Sequence, residues 1–202
     1  MERAASARLK VVPTGLAHGT VTIIAKGAPF EVTTLRRDVE TDGRHAVVAF
    51  SDSFEADALR RDFTINQLSL SRDGALHDYA GGLADIAARN VRFIGLPESR
   101  IAEDYLRILR FYRFHAEYGE GPLDEAGLAA CIALQDGLGR LSAERIRMET
   151  LKLLAARGAV AVMPAFIASG FWGRIAGGQA FADVDAFAAA LQAFPEADAL
   201  RR

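Results

Sequence analysis

Residues 95–114 read GLPESRIAEDYLRILRFYRF. Gly95, Leu96 and Pro97 break the chain, and apolar residues then recur at helical spacing, which predicts a helix over 101–118. At about 100° per residue, Tyr105, Ile108, Leu109 and Tyr112 share one face, while Asp104, Arg107, Arg110 and Arg113 wind along another. Leu106, Phe111 and Phe114 sit among the arginines, so the charged face is not a plain solvated one. Asp104 and Arg107, three residues apart on such a helix, reach the same small object.

That pairing has a chemical meaning. Adenine and cytosine present an exocyclic amino donor beside a ring-nitrogen acceptor, and guanine and uracil present the opposite order. A carboxylate that accepts, held beside a guanidinium that donates, matches the first two bases and mismatches the others. Arg110 and Arg113 are then left for phosphates. The same spacing also suits an intrahelical Asp104–Arg107 ion pair of about 0.2–0.5 kcal/mol.

Upstream of this stretch the pattern is that of sheet. Residues 20–25 and 30–35 are β-branched runs joined by Lys26-Gly27-Ala28-Pro29, which predicts a hairpin. A third run, 66–71, meets Arg72-Asp73-Gly74 and then 75–78, predicting a second hairpin. Just before it, Arg61 and Asp62 in LRRDFTIN put a guanidinium and a carboxylate at a strand start, suited to a phosphate and a ribose hydroxyl or to a local salt bridge. Glu31 shares a strand face with Thr33, opposite Phe30 and Val32, as a metal and triphosphate ligand or as a solvent-facing residue.

Downstream, helices are predicted at 124–134 and 142–157, with Ser142 as N-cap, after a shorter one at 83–89. Beyond Arg157 glycines weaken the pattern until 181–191. The 202 residues are 50% hydrophobic and 25% charged, which describes a globular chain and excludes disorder or a disulfide scaffold. One cysteine suits a reducing, cytoplasmic setting, and four scattered histidines supply no zinc ligand spacing. No uncharged run reaches the ~20 residues of a membrane span. A net charge of -2 excludes nucleic-acid binding by bulk electrostatics, so any such contact is local.

In chain order, PTGLAHGTVT, FEVTTLRRD, LRRDFTIN, DYAGGLADI, GLPESRIAEDYLRILRFYRF and LSAERIRMETLKLL resemble the class II tRNA nucleotidyltransferase and poly(A) polymerase family, over residues 9–154. Those enzymes add CCA or A-tails to RNA 3′ ends. The resemblance implies an α+β chain: a partial, polymerase-β-like nucleotidyltransferase head with a mixed sheet at 1–90, then an α-helical neck and the start of a body at 91–202. It implies ATP or CTP as substrates, Mg2+ in the complete enzyme, and a tRNA or other RNA 3′ end as partner. Asp104 and Arg107 match the family's amino-acid template for the incoming base. Arg110, Arg113, Arg61, Asp62 and Asn66 match its nucleotide site.

Family members open with a Gly-Gly and an Arg-Asp element, followed by two aspartates one residue apart that bind two Mg2+ ions. Nothing of that kind precedes Pro13, and MERAASARLKVV reads as the tail of the helix that follows those aspartates. The expectation is therefore an incomplete catalytic set, with Glu31 its single candidate carboxylate, no metal site, and negligible catalysis by this chain alone. A missing N-terminal segment or a complementing second chain would supply the rest; the alternative is a non-catalytic nucleotide- or RNA-binding remnant. Gln67 stands where the family usually has a small residue.

Overall fold

Residues 4, 6–15, 19–41, 46–178 and 183–193 are described by the computed structural model. The chain divides into two compact units, Met1–Arg60 and Arg61–Arg202.

In the first unit β1 (Lys10–Gly15), β2 (Thr20–Ala25) and β3 (Ala28–Thr33) form an antiparallel sheet in that order. The expected hairpin is present. Its turn is only Lys26 and Gly27, both at positive φ (50° and 80°), the backbone that matches the twist of a two-residue loop. Residues 10–12, read above as part of a helix tail, belong to β1, consistent with the β-branched pair Val11-Val12. A second antiparallel ribbon joins β4 (Arg36–Thr41) to β5 (Ala46–Phe50). It is followed by α1 (Phe54–Leu59), whose N-cap Ser53 accepts the Ala56 N–H at 3.1 Å. The buried Asp57 ties this helix to β4 by accepting the Arg36 N–H at 3.0 Å.

The second unit opens with a correction. The strand expected at 66–71 shrinks to β6 (Ser69–Leu70), paired with β7 (Leu76–His77) across Arg72-Asp73-Gly74, and Thr64–Asn66 is a turn of 3-10 helix. The Asp62 side chain causes this: its Oδ1 accepts the Phe63 N–H at 2.9 Å and the Asn66 Nδ2–H at 2.8 Å, a local bonding pattern that outcompetes the β preference of Thr64-Ile65. Backbone bonds from Thr64 N to Arg92 O and from Ile94 N to Asp62 O, both 3.0 Å, fasten this segment to residues 92–94.

Gln67 fits its crowded site because both ends of its amide are used. It is 1% exposed, donates to Asp78 and accepts the Tyr79 N–H at 2.9 Å. Asp78 also receives the N–H groups of Gly82 and Leu83, both at 2.9 Å, at the start of α2 (Gly82–Ala87). These bonds, led by that from Leu83, hold its carboxyl down to about 2. Gly82 has to be glycine, since a Cβ there would lie 2.2 Å from the Thr64 carbonyl oxygen.

The helices that follow are α3 (Pro97–Glu103), α4 (Leu106–Tyr118), α5 (Glu125–Ala133), α6 (Ala143–Ala155), α7 (Ala159–Ala168), α8 (Phe171–Ile175) and α9 (Val184–Ala193). The single helix expected over 101–118 is thus two. Pro97, read above as part of a chain break, instead opens α3 in its first turn. The helices expected near 83–89, 124–134 and 142–157 are in place, and Ser142 caps α6. α7 and α8 lie where the pattern had weakened. Phe63, Phe93, Phe111, Tyr112 and Phe166 make the centre of the core, with Phe63 4.9 Å from Phe93 and 5.1 Å from Phe114 between ring centroids.

Candidate nucleotide site

The break between α3 and α4 falls on Asp104. Its backbone is extended (φ -155°, ψ 106°), and its Oδ1 accepts the Leu106 N–H at 3.1 Å, so the residue caps the new helix instead of continuing the old one. Asp104 and Arg107 are therefore not partners on one helix. Each has a partner other than the one their spacing suggested: Asp104 Oδ2 accepts from Arg145 Nη2 at 2.7 Å, and Arg107 Nη1 donates to Glu103 Oε2 at 2.5 Å and to the Arg100 carbonyl at 2.8 Å. Arg100 grips the same Glu103, with Nη1 3.1 Å from each carboxylate oxygen. The Asp104 side chain keeps 35% of its surface exposed, whereas that of Arg107 keeps 15%.

About one to two turns further along α4 the setting changes. Arg110 donates through Nε to Asp62 Oδ2 at 2.7 Å, with Nη2 2.6 Å from the same oxygen. Arg113, 8% exposed, donates to Glu149 Oε2 at 2.6 Å and to Glu117 at 3.0 Å. Both guanidiniums lie over the Phe114 ring, at 5.1 and 4.2 Å from its centroid. With Arg110 also 3.9 Å from Glu149, charges of alternating sign run from Asp62 to Glu117 through the junction of α4 and α6. Asp62 uses both oxygens within this network and toward Asn66 and Phe63, so its carboxylate is fixed by the protein itself. Arg61 is exposed and donates to the Asn66 carbonyl at 2.8 Å.

The structure thus brings Asp62, Asn66, Arg61 and Arg110 together, joins Arg113 to them through Glu149, and sets Asp104 and Arg107 at the helix break. Asn66 also lines a separate cavity of about 490 Å³ beside Ile65, Ile86, Arg89 and Tyr118. Glu31 belongs to the other unit. It sits on β3, opposite Thr22, and is exposed, as are Phe30 and Val32, so the polar and apolar faces expected of this strand both meet solvent. Among the described residues no three His, Cys, Asp or Glu side chains converge as a metal donor set. The single carboxylate of Glu31 does not fit two Mg2+ ions. No helix among the described residues is long and apolar enough to cross a membrane.

Sequence reasoning did not find Glu103, Arg145 or Glu149. Glu149 was legible in principle: it lies on the apolar stripe of α6 between Ile146 and Leu153, where a lone carboxylate needs a buried cation.

This arrangement of helices and small antiparallel sheets is shared with known proteins. A family model described as the poly(A) polymerase head domain matches residues 2–92. Mouse mitochondrial CCA tRNA nucleotidyltransferase 1 is 48% identical over 142 residues, which cover 69% of this chain and 33% of that protein. The CCA-adding enzyme of Lactobacillus delbrueckii subsp. bulgaricus is 36% identical over 163 residues, covering 80% and 41%. Among solved structures, the Bacillus stearothermophilus CCA-adding enzyme in complex with CTP matches with a TM-score of 0.72 and 34% identity, over 80% of this chain and 39% of that one.

The fold is that of the head and neck of an RNA 3′-end nucleotidyltransferase. The chain belongs to the class II tRNA nucleotidyltransferase and poly(A) polymerase family. It spans about a third of the length of the mouse relative. The family's head extends to residue 92, past the boundary between the compact units at Arg60, so 61–92 belong to the head by sequence and pack with the helices.

Proposed function

We propose that this chain supplies the nucleotide-selecting part of an enzyme of tRNA processing that extends RNA 3′ ends. In that reaction the RNA 3′ hydroxyl attacks the α-phosphorus of ATP or CTP and pyrophosphate leaves. One observation carries the reading: at the α3–α4 break a carboxylate and a guanidinium, Asp104 and Arg107, stand within one turn of each other, and Asp104 is the more open of the two. Asp104 accepts from the exocyclic amine of cytosine or adenine, and Arg107 donates to the neighbouring ring nitrogen.

Arg61, exposed at the entry to the 3-10 turn, is the residue for a phosphate, with Asn66 beside it. Arg110 reaches the nucleotide by its outer edge, held by Asp62 and by Glu149, which Arg113 in turn fixes. The catalytic step needs metal-binding carboxylates beyond those described. A tRNA or other RNA 3′ end completes the reading, supported by the names of the relatives at 48% and 36% identity; a cytoplasmic setting draws no support from those names, the first relative being mitochondrial.

Isothermal titration with ATP, CTP, GTP and UTP tests it. CTP and ATP are expected to bind roughly tenfold or more tightly than UTP and GTP, since a site built to bond an amine leaves buried polar groups unpaired with the wrong base. Asp104→Ala is expected to erase the difference. Equal affinity of the unmodified chain for all four nucleotides would overturn the proposal.

A further inference from the structure

Resting on the base-selecting role of Asp104, we infer that Arg145 is a positioning residue for base choice: it fixes the direction of the Asp104 carboxylate from a second helix. Asp104 lies at a helix break, where no regular turn confines its side chain, and its Oδ1 is already committed to the Leu106 N–H at 3.1 Å. Oδ2 is the oxygen left for a ligand. Arg145 Nη2 reaches it at 2.7 Å, from 41 residues away in sequence. A carboxylate oxygen carries two lone pairs, so one guanidinium N–H and one base amine can share Oδ2, and the first sets the angle at which the second is received.

The position of Arg145 is itself set. It lies in the first turn of α6, where its own N–H donates to the N-cap Ser142 at 3.4 Å. One turn later on the same helix, Glu149 is bound to Arg113 of α4 at 2.6 Å in a buried pair. That pair fixes α6 against α4. Residues four apart share a helix face, so the same registration delivers Arg145 to the start of α4, where Asp104 caps it. The Arg145 side chain is 47% exposed, so the contact is not a buried structural strut but a bridge at the open side of the helix break.

With Arg145 in place, Oδ2 is held where an amine is received and a carbonyl oxygen is repelled. Without it the carboxylate is fixed at one oxygen only and turns about that bond. The consequence falls on the choice between bases more than on binding as such, because phosphate contacts do not involve Oδ2.

Nucleotide titrations of the chain and of Arg145→Ala, Arg145→Lys and Asp104→Ala test this, with circular dichroism verifying the fold of each variant. Arg145→Ala is expected to lower the CTP-to-UTP affinity ratio roughly two- to fivefold, mainly by weaker CTP binding, as suits a half-exposed pair. Arg145→Lys should recover part of the ratio, which a loss of general packing would not. If Asp104→Ala abolishes the ratio while Arg145→Ala leaves it intact, the positioning role is wrong and the template reading stands. If Asp104→Ala itself leaves the ratio intact, both fall. An Arg145→Ala variant that weakens all four nucleotides equally would also overturn the inference.

Discussion

The two ends of α4 use the same residue types for different purposes. At its start, Asp104, Arg107, Glu103 and Arg145 form ion pairs with side chains 15–47% exposed, on either side of a helix break. Two turns on, Arg113 and Glu149 meet at 9% and 6% exposure, roofed by Phe114. An exposed pair is worth at most about 1 kcal/mol, whereas removing one partner of a buried pair leaves an uncompensated charge, at about 3–5 kcal/mol. Four charged residues that look alike on a helical projection therefore divide into a reading end and a holding end.

The largest expected effect breaks the holding end. Glu149→Ala leaves the buried Arg113 with Glu117 as its remaining carboxylate and should lower the unfolding free energy by about 3 kcal/mol, the low end of the cost of breaking a buried pair, read from urea denaturation. Next, Asp62→Asn puts an amide NH2 where Arg110 needs an acceptor, while the remaining amide oxygen still serves Asn66 and Phe63, and should destabilise by about 2 kcal/mol in the same measurement.

His115, near the end of α4, predicts a pH effect. Burial holds its proton affinity below the ordinary value, and its Nε2 faces the Gly121 carbonyl at 3.2 Å. The unfolded chain therefore takes up the proton first. Stability from this site is full above about pH 6.5 and is lost as pH falls toward the folded value. Melting temperatures from pH 8 to 5, compared with those of His115→Gln, should show a smaller acid-side fall in the variant.

The smallest stability effect belongs to the reading end. Asp104→Asn should alter unfolding by less than about 1 kcal/mol while removing base preference. A loss as large as that of Glu149→Ala would abolish the distinction between the two ends.

Much of this fold was legible. The β2–β3 hairpin, the cap at Ser142 and the α+β order follow from local chemistry that tertiary packing does not oppose. The break at Asp104 was not, because a periodic pattern continues across it and only the capping bond to Leu106 reveals the stop. The strand expected from Asn66 begins only at Ser69 for a similar reason: Asp62 bonds Phe63 and Asn66 across a 3-10 turn at Thr64–Asn66. α7 escaped notice because it is apolar nearly all round, and a helix without a polar face has no period to read. Of the site, the residue types at 104 and 107 were legible, but not their partners. Arg145 and Glu149 lie some forty residues downstream, and only the packing of α6 on α4 brings them in.

The central claim, that Asp104 and Arg107 read the pairing edge of the base, is tested most directly by a crystal structure of the chain with CTP. The cytosine amine is expected within about 3.2 Å of Asp104 Oδ2, with Arg107 donating to the ring nitrogen beside it. A cytosine bound with that edge toward solvent, or toward other side chains, would contradict it.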